Sequence, residues 1–251
     1  MIYFIKLGGS LITDKSKPLH DRPDIIKNIA RELGQAYKER PEDKWVIGTG
    51  AGSYGHYTVQ SVKYRDNPSD PLRIAAVHAS AEKLCHLVIA ALIDEGIPAG
   101  IFSPFQHIHQ MRSELVVNSE QLTKMLSAKI VPVTHGDIIL NDSGSSLILS
   151  TEKALHGLAE HFSKDKMTIY VTSVDGVLDK DSQAIPVFDH KMSLHEHLNK
   201  DFDVTGGMSQ KVQEGFTALG YSSRVYIING LHTGNLTAAL NLETVGTRLE
   251  A

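Results

Sequence analysis

Met1-Ile-Tyr-Phe-Ile-Lys-Leu-Gly-Gly-Ser10 reads as a short apolar strand that delivers a lysine, two glycines and a serine at its carboxyl end. Glycines placed there let backbone N–H groups approach an anion closely, and Lys6 supplies positive charge. Phosphate is the anion that such a cradle suits. The G-x-x-x-x-G-K-[ST] loop is absent, so any phosphate chemistry here does not run on a P-loop.

Outward from this segment, strand-like and helix-like stretches alternate. Strands are predicted at Ile2–Leu7, 45–48, 97–102, 130–134, 167–173 and Arg224–Asn229. Helices are predicted at 24–39, 73–95, Ser119–Ser127 (with Ser119 as N-cap), 151–162 and 209–219. Asn141-Asp-Ser-Gly144 reads as the turn of a hairpin between Asp137–Leu140 and Ser146–Leu149. This alternation predicts an α/β fold, a three-layer αβα sandwich around an open, mainly parallel sheet. No Pro/Ser linker or internal repeat interrupts it. The expectation is a single domain spanning 1–251, with two lobes that meet near residue 165 on one continuous sheet.

The bulk composition narrows the function. Of 251 residues, 41% are hydrophobic and 22% charged, which is ordinary for a globular chain. A net charge of −4 argues against nucleic acid as the main partner. Cys85 is alone, so no internal disulfide forms. The opening apolar run is too short for a signal peptide, and no run reaches the roughly 18 apolar residues of a membrane span. The expectation is a cytoplasmic protein with no membrane partner.

A second glycine-rich turn follows a strand: Gly48-Thr-Gly50-Ala-Gly52-Ser-Tyr-Gly55-His56. Gly50, Gly52 and Gly55 satisfy G-x-G-x-x-G. A dinucleotide fingerprint belongs in the first βα turn with an acid about 20 residues on. Here the motif lies in the second unit, and Asp66 and Asp70 fall in a polar loop. A second anion site using His56 fits better, and a plain tight turn with an incidental histidine stays open. Three further clusters end strands or begin helices: Thr134-His-Gly-Asp137, Thr172-Ser-Val-Asp-Gly-Val177 and Asp203-Val-Thr-Gly-Gly-Met-Ser-Gln-Lys211. Ligands of open α/β sheets gather at the carboxyl ends of strands, so five such loops predict one site.

In these motifs the chain resembles the amino acid kinase superfamily, and within it the isopentenyl phosphate kinases. Lys6–Ser10 resembles the superfamily's opening signature, Ile12-Thr-Asp-Lys15 the extension ending in a second lysine, and Gly50–His56 the turn ending in histidine. Three motifs depart from the pattern: Ala51 stands at the central glycine, Ser173 in the Thr-Asp-Val-Asp-Gly motif, and Thr151-Glu152-Lys153 where Gly-Asp-Asp is usual. The resemblance implies an ATP-dependent phosphotransferase acting on a phosphate monoester, namely isopentenyl phosphate, within isoprenoid biosynthesis. The alternatives are a fosfomycin-kinase-like enzyme acting on a phosphonate and a non-catalytic nucleotide-sensing module.

The resemblance also implies residue roles. Lys6 meets the transferring phosphoryl group, Lys15 the β/γ-phosphates, and Lys211 the nucleotide phosphates from the opposite lobe. Gly8 and Gly9 donate N–H bonds beside Ser10. Thr172, Asp175, Gly176, Gly206 and Gly207 border the nucleotide. Gly50, Ala51, Gly52, Gly55, His56, His135 and Gly136 surround the acceptor, and Glu152 fixes Lys6 and Lys211. Mg²⁺ is held mainly by ATP phosphates and water, with no protein ligand, and the enzyme is a homodimer.

A phosphate acceptor is already an anionic nucleophile, so the chemical burden is charge. Two unit charges 4 Å apart repel by roughly 4 kcal/mol at an effective dielectric near 20, and lysines with Mg²⁺ offset this. The acceptor's tail belongs against helix 73–95, where Val77, Ala81 and Leu84 share a face. Apolar residues at helical spacing are more often core, and that reading is favoured over a tail pocket. His78, Glu82 and His86 read as a solvated face in preference to the sign of a more polar acceptor. His107-Ile-His109 and His195-Glu-His197 put both imidazoles on one side of a strand and read as surface or loop histidines, short of zinc's usual ligand count. Lys15 and Lys17 are not separable by sequence alone.

Overall fold

The computed structural model describes residues 1–112, 114–163, 165–192 and 207–250. In chain order its strands are β1 (Ile2–Leu7), β2 (Lys44–Thr49), β3 (Ala99–Ile101), β4 (Ile108–Met111), β5 (Glu114–Val117), β6 (Val131–His135), β7 (Asp137–Leu140), β8 (Ser146–Leu149), β9 (Lys166–Thr172), β10 (Val187–Asp189), β11 (Arg224–Asn229) and β12 (Thr247–Glu250). Its helices are α1 (Gly9–Ile12), α2 (Pro23–Glu39), α3 (Gly52–Ser61), α4 (Pro71–Asp94), α5 (Pro104–His107), α6 (Ser119–Ser127), α7 (Thr151–Ala159), α8 (Gly207–Leu219) and α9 (Asn235–Leu240).

Eight strands form one sheet in the order β10-β12-β11-β9-β1-β2-β6-β3. Neighbours run parallel except β11 and β12. β1 is central because its apolar run is buried on both faces, as parallel strands require. It pairs with β2 and β9 at once, so Lys6 lies between Gly48 and Tyr170.

Side chains alternate along a strand, and that alternation builds the layers. Tyr3, Ile5 and Leu7 pack with Ile29 and Leu33 of α2, Leu84, Val88 and Leu92 of α4, and Leu236 of α9. Phe4 points the other way, into a cluster with Leu122 of α6 and Leu155 and Leu158 of α7. Lys6 shares the Phe4 face. Its register neighbour Tyr170 packs with Val212 of α8. The central lysine therefore faces α7 and α8.

Several predicted boundaries move. α4 begins at Pro71, because Asp70 accepts hydrogen bonds from the N–H groups of Leu72 and Arg73. Asn118, not Ser119, caps α6 by accepting from Gln121 N–H. Strand 97–102 shrinks to β3, and helix 151–162 stops at Ala159. The 137–149 hairpin forms with the predicted bounds, and Gly144 takes a positive φ in its turn. His107 ends α5 while His109 lies on β4, so the two are not on one strand, and His107 is half-buried against Phe102. His195 and His197 lie outside the described residues.

α4 is long and apolar enough to cross a bilayer by length and composition, contrary to the expectation that no segment is. Here it is a core helix: its buried face, Val77, Ala81, Leu84 and Val88, packs against the sheet, α2 and α3.

Candidate active site

A cleft of about 460 Å³ opens where β1, β2 and β6 end. Lys6 reaches it from a buried position, and its Nζ donates to Glu152 Oε1 at 2.6 Å. This pairing has a local cause. Ser150 caps α7, and Thr151 Oγ1 donates to the Thr49 carbonyl at the end of β2. A Cβ on Gly48 would stand 2.8 Å from both Thr151 Cγ2 and Leu155 Cδ1, so glycine there lets α7 lie close on the sheet. The first turn of α7 then brings Glu152 onto the Lys6 face. Burial pushes the Glu152 carboxyl upward, but the charge and hydrogen bond of Lys6 outweigh it and hold the group below its ordinary value.

The two glycine turns press against each other. A Cβ on Gly9 would meet Gly52 N at 2.4 Å, and one on Gly50 would meet Gly9 N at 2.4 Å. Backbone thus packs on backbone between the starts of α1 and α3. The Gly8 N–H is taken by the Val171 carbonyl, so Gly8 lines the cleft without offering the donor expected of it. Gly9 and Ser10 are the first two residues of α1, where helical N–H groups have no partner within the helix.

His56, on α3, lines the cleft beside Ala51, Gly52 and Gly55. Burial lowers its proton affinity first, and the charges of Lys15 and Arg65 lower it further. Lys15 and Lys17 separate. Lys15 lines the cleft, whereas Lys17 pairs with Asp14 at 3.4 Å on the surface. Lys211 and its neighbour Gln210 reach the cleft from α8.

The cleft also has apolar lining. Val77 and Ala81 line it with Val59, Ile148 and Leu149. Leu84, two turns along α4 from Val77, is instead in the core against β1, so the three residues divide between the two readings. His78 is not solvated, and this corrects the face assigned to it. Its Nδ1 lies 2.9 Å from Asp137 Oδ2 and its Nε2 lies 3.6 Å from Glu82, while His86 alone of that trio is exposed.

Gly136 lines the cleft as expected, but His135 is buried beneath it. Its Nε2 stands 3.2 Å from Asp137 Oδ2, an ionic contact outside hydrogen-bond geometry. Burial pulls the His135 proton affinity down, yet Asp137 and Cys85 raise it to about 10. For Asp137, burial raises the carboxyl and the two histidines bring it below the ordinary value. The ligand atoms of His78, His135 and Asp137 all lie within 4.8 Å of one another, close enough to share one ion. As they stand, the carboxylate is itself the bridge between two rings.

Thr172 ends β9 and Asp175 and Gly176 follow it, at the carboxyl end of the same sheet, but none of them lines this cleft. The Thr172 hydroxyl is buried, donating to the Val174 and Ile228 carbonyls, and Asp175 accepts from Asn229. Gly207 begins α8. Gly206 lies outside the described residues.

Val59, Arg65, Asp137, Ile148, Leu149, Ser150, Thr151 and Gln210 line the cleft without having been assigned to it from sequence. The hairpin was visible, and its last strand running straight into α7 was the available signal for residues 148–151. Nothing in the sequence marks Arg65.

A profile of the amino acid kinase family matches residues 1–229. The isopentenyl phosphate kinase of Methanothermobacter thermautotrophicus is 33% identical, over 98% of this chain and 97% of its own. That of Methanocaldococcus jannaschii is 28% identical, over 100% and 99%. Among solved structures, a product complex of T. acidophilum isopentenyl phosphate kinase shares the fold with a TM-score of 0.79 at 23% identity, covering both chains completely.

Proposed function

This chain belongs to the amino acid kinase family, and from that premise we propose that it transfers the γ-phosphoryl group of ATP to isopentenyl phosphate, giving isopentenyl diphosphate and ADP. Full-length relatives that carry this activity in their names support the substrate. The observation that carries the reading is the cleft's mixed lining. Lys6, Lys15 and Lys211 line it together with an apolar wall of Val59, Val77, Ala81 and Ile148, and His56 precedes Val59 by one turn of α3. Such a cavity suits a small branched hydrocarbon ending in phosphate better than a compact polar phosphonate.

An acceptor phosphate oxygen attacks the γ-phosphorus, the bond to the β-phosphate oxygen breaks, and ADP leaves with that electron pair. No general base is required, because the nucleophile is already ionised. Lys6 sits where the transferring group passes, and Glu152 keeps its ammonium aimed there. Lys15 and Lys211 offset the nucleotide's charge. His56 holds the acceptor phosphate. The carboxylates lining the cleft are already engaged, Glu152 by Lys6 and Asp137 by His78 and His135. Mg²⁺ therefore fits this site on nucleotide phosphates and water, where it would screen the charge of the phosphates.

A coupled assay of ADP release tests the reading. ADP formation should depend on isopentenyl phosphate and exceed that with a phosphonate acceptor such as fosfomycin. Absence of turnover with isopentenyl phosphate overturns it.

A further inference from the structure

We infer that Arg65 is a second ligand of the acceptor phosphate, gripping it together with His56. The inference rests on the kinase reading above and adds to the site a residue that its motifs do not contain. Arg65 lines the cleft from the short turn Tyr64–Asp66 that follows α3. That turn is pinned. Lys63 reverses the chain with a φ of 50°, and its carbonyl accepts from Arg73 and from Asp66 N–H. Tyr64 is buried, with its hydroxyl 2.8 Å from Ser146 Oγ on β8. With its neighbour locked inward, the backbone at Arg65 is held beside the cleft, and its side chain is exposed there.

The guanidinium has no ion pair or hydrogen bond among the described residues. Asp70, farther along the same loop, is taken by Arg73 and by the cap of α4, and no ion pair joins Arg65 to the adjacent Asp66. Arg65 and His56 line the same cleft, where the charge of Arg65 adds to burial and to Lys15 in disfavouring the charged imidazole. A planar fork of donors matches phosphate in two simultaneous bonds, which lysine cannot reproduce. A second cation also offsets the repulsion between the acceptor and the incoming nucleotide.

Arg65→Ala and Arg65→Lys, assayed with isopentenyl phosphate and ATP, test this. For Arg65→Ala the acceptor KM should rise roughly tenfold to a hundredfold, with the ATP KM within about twofold and the melting temperature unchanged. Arg65→Lys should recover part of the loss, a result that a merely structural role would not produce. An unchanged acceptor KM in Arg65→Ala overturns the inference while leaving the kinase reading intact. If the wild type does not turn over isopentenyl phosphate, the kinase reading fails and calorimetry with inorganic phosphate decides Arg65. Weaker binding by Arg65→Ala than by wild type sustains an anion-binding role, and equal or absent binding overturns it.

Discussion

Lys6 and Glu152 stand 146 positions apart in the chain and 2.6 Å apart in the fold. The carboxylate arrives because α7 is clamped to the end of β2, and the ammonium because β1 points its sixth residue toward that helix. Both side chains are largely withdrawn from solvent. Glu152→Gln keeps the shape and removes the charge. The acceptor-dependent kcat should fall about 10- to 100-fold, as the ammonium loses its aim, with circular dichroism unchanged. Full activity in Glu152→Gln would remove the positioning role.

The same pair sets an acid limit on stability. The folded-state proton affinity of Glu152 lies below its ordinary value of 4.5, so its contribution is present above that value and lost as pH falls through the folded one. Melting temperatures of wild type and Glu152→Gln should differ most near neutrality and converge in acid. A gap that persists unchanged to pH ~3 contradicts the linkage.

His56 is neutral near pH 7 in the free cleft, since burial and then Lys15 and Arg65 disfavour its charged form. A phosphate dianion favours the imidazolium, so acceptor binding should draw a proton from solution. Calorimetry in two buffers of different ionisation enthalpy measures this uptake, which should vanish in His56→Gln. His56→Ala should lose acceptor phosphorylation at least about tenfold while ATP affinity is largely kept. An equal loss for both substrates refutes an acceptor role.

Gly50→Ala places a methyl group 2.4 Å from the Gly9 nitrogen, with backbone on the opposing side. The two turns must separate. Urea unfolding should show a loss of about 1–3 kcal/mol, together with lost activity. Neutral stability would mean that the turns are not held in contact.

Asp137→Asn leaves two histidines facing a neutral amide in the core. A loss of about 3–5 kcal/mol is expected at neutral pH. The His135 affinity is raised to about 10, so its contribution is full below 6.5 and disappears as pH climbs through 10. The stability difference between wild type and Asp137→Asn should therefore narrow over that alkaline range.

Sequence reading found what is written locally. A strand ending in glycines, a lysine at its mouth and a hairpin turn each carry their signal within a few residues. It failed where the signal depends on what packs opposite. His78 looked solvated because its partner, Asp137, lies 59 positions away. Val77, Ala81 and Leu84 share helical spacing, yet only what lies opposite each turn of α4 decides which line a cavity and which face β1. The Gly8 N–H looked available because the strand that takes it, β9, comes more than 150 residues later. Arg65 carried no signal because its position comes from a tyrosine anchored to a distant serine.

The central place of β1 bears on how the chain matures. β1 precedes every other strand of the sheet and lies between two of them. One of its flanks is met by β2 within 50 residues, but the other waits for β9 at Lys166. Until then a row of backbone donors and acceptors stands open, a template for pairing with another nascent chain. Joining such distant segments is slow, so the hazard lasts through most of synthesis. A fragment ending before Lys166 keeps that bare flank permanently and is prone to aggregate rather than fold as a free-standing half.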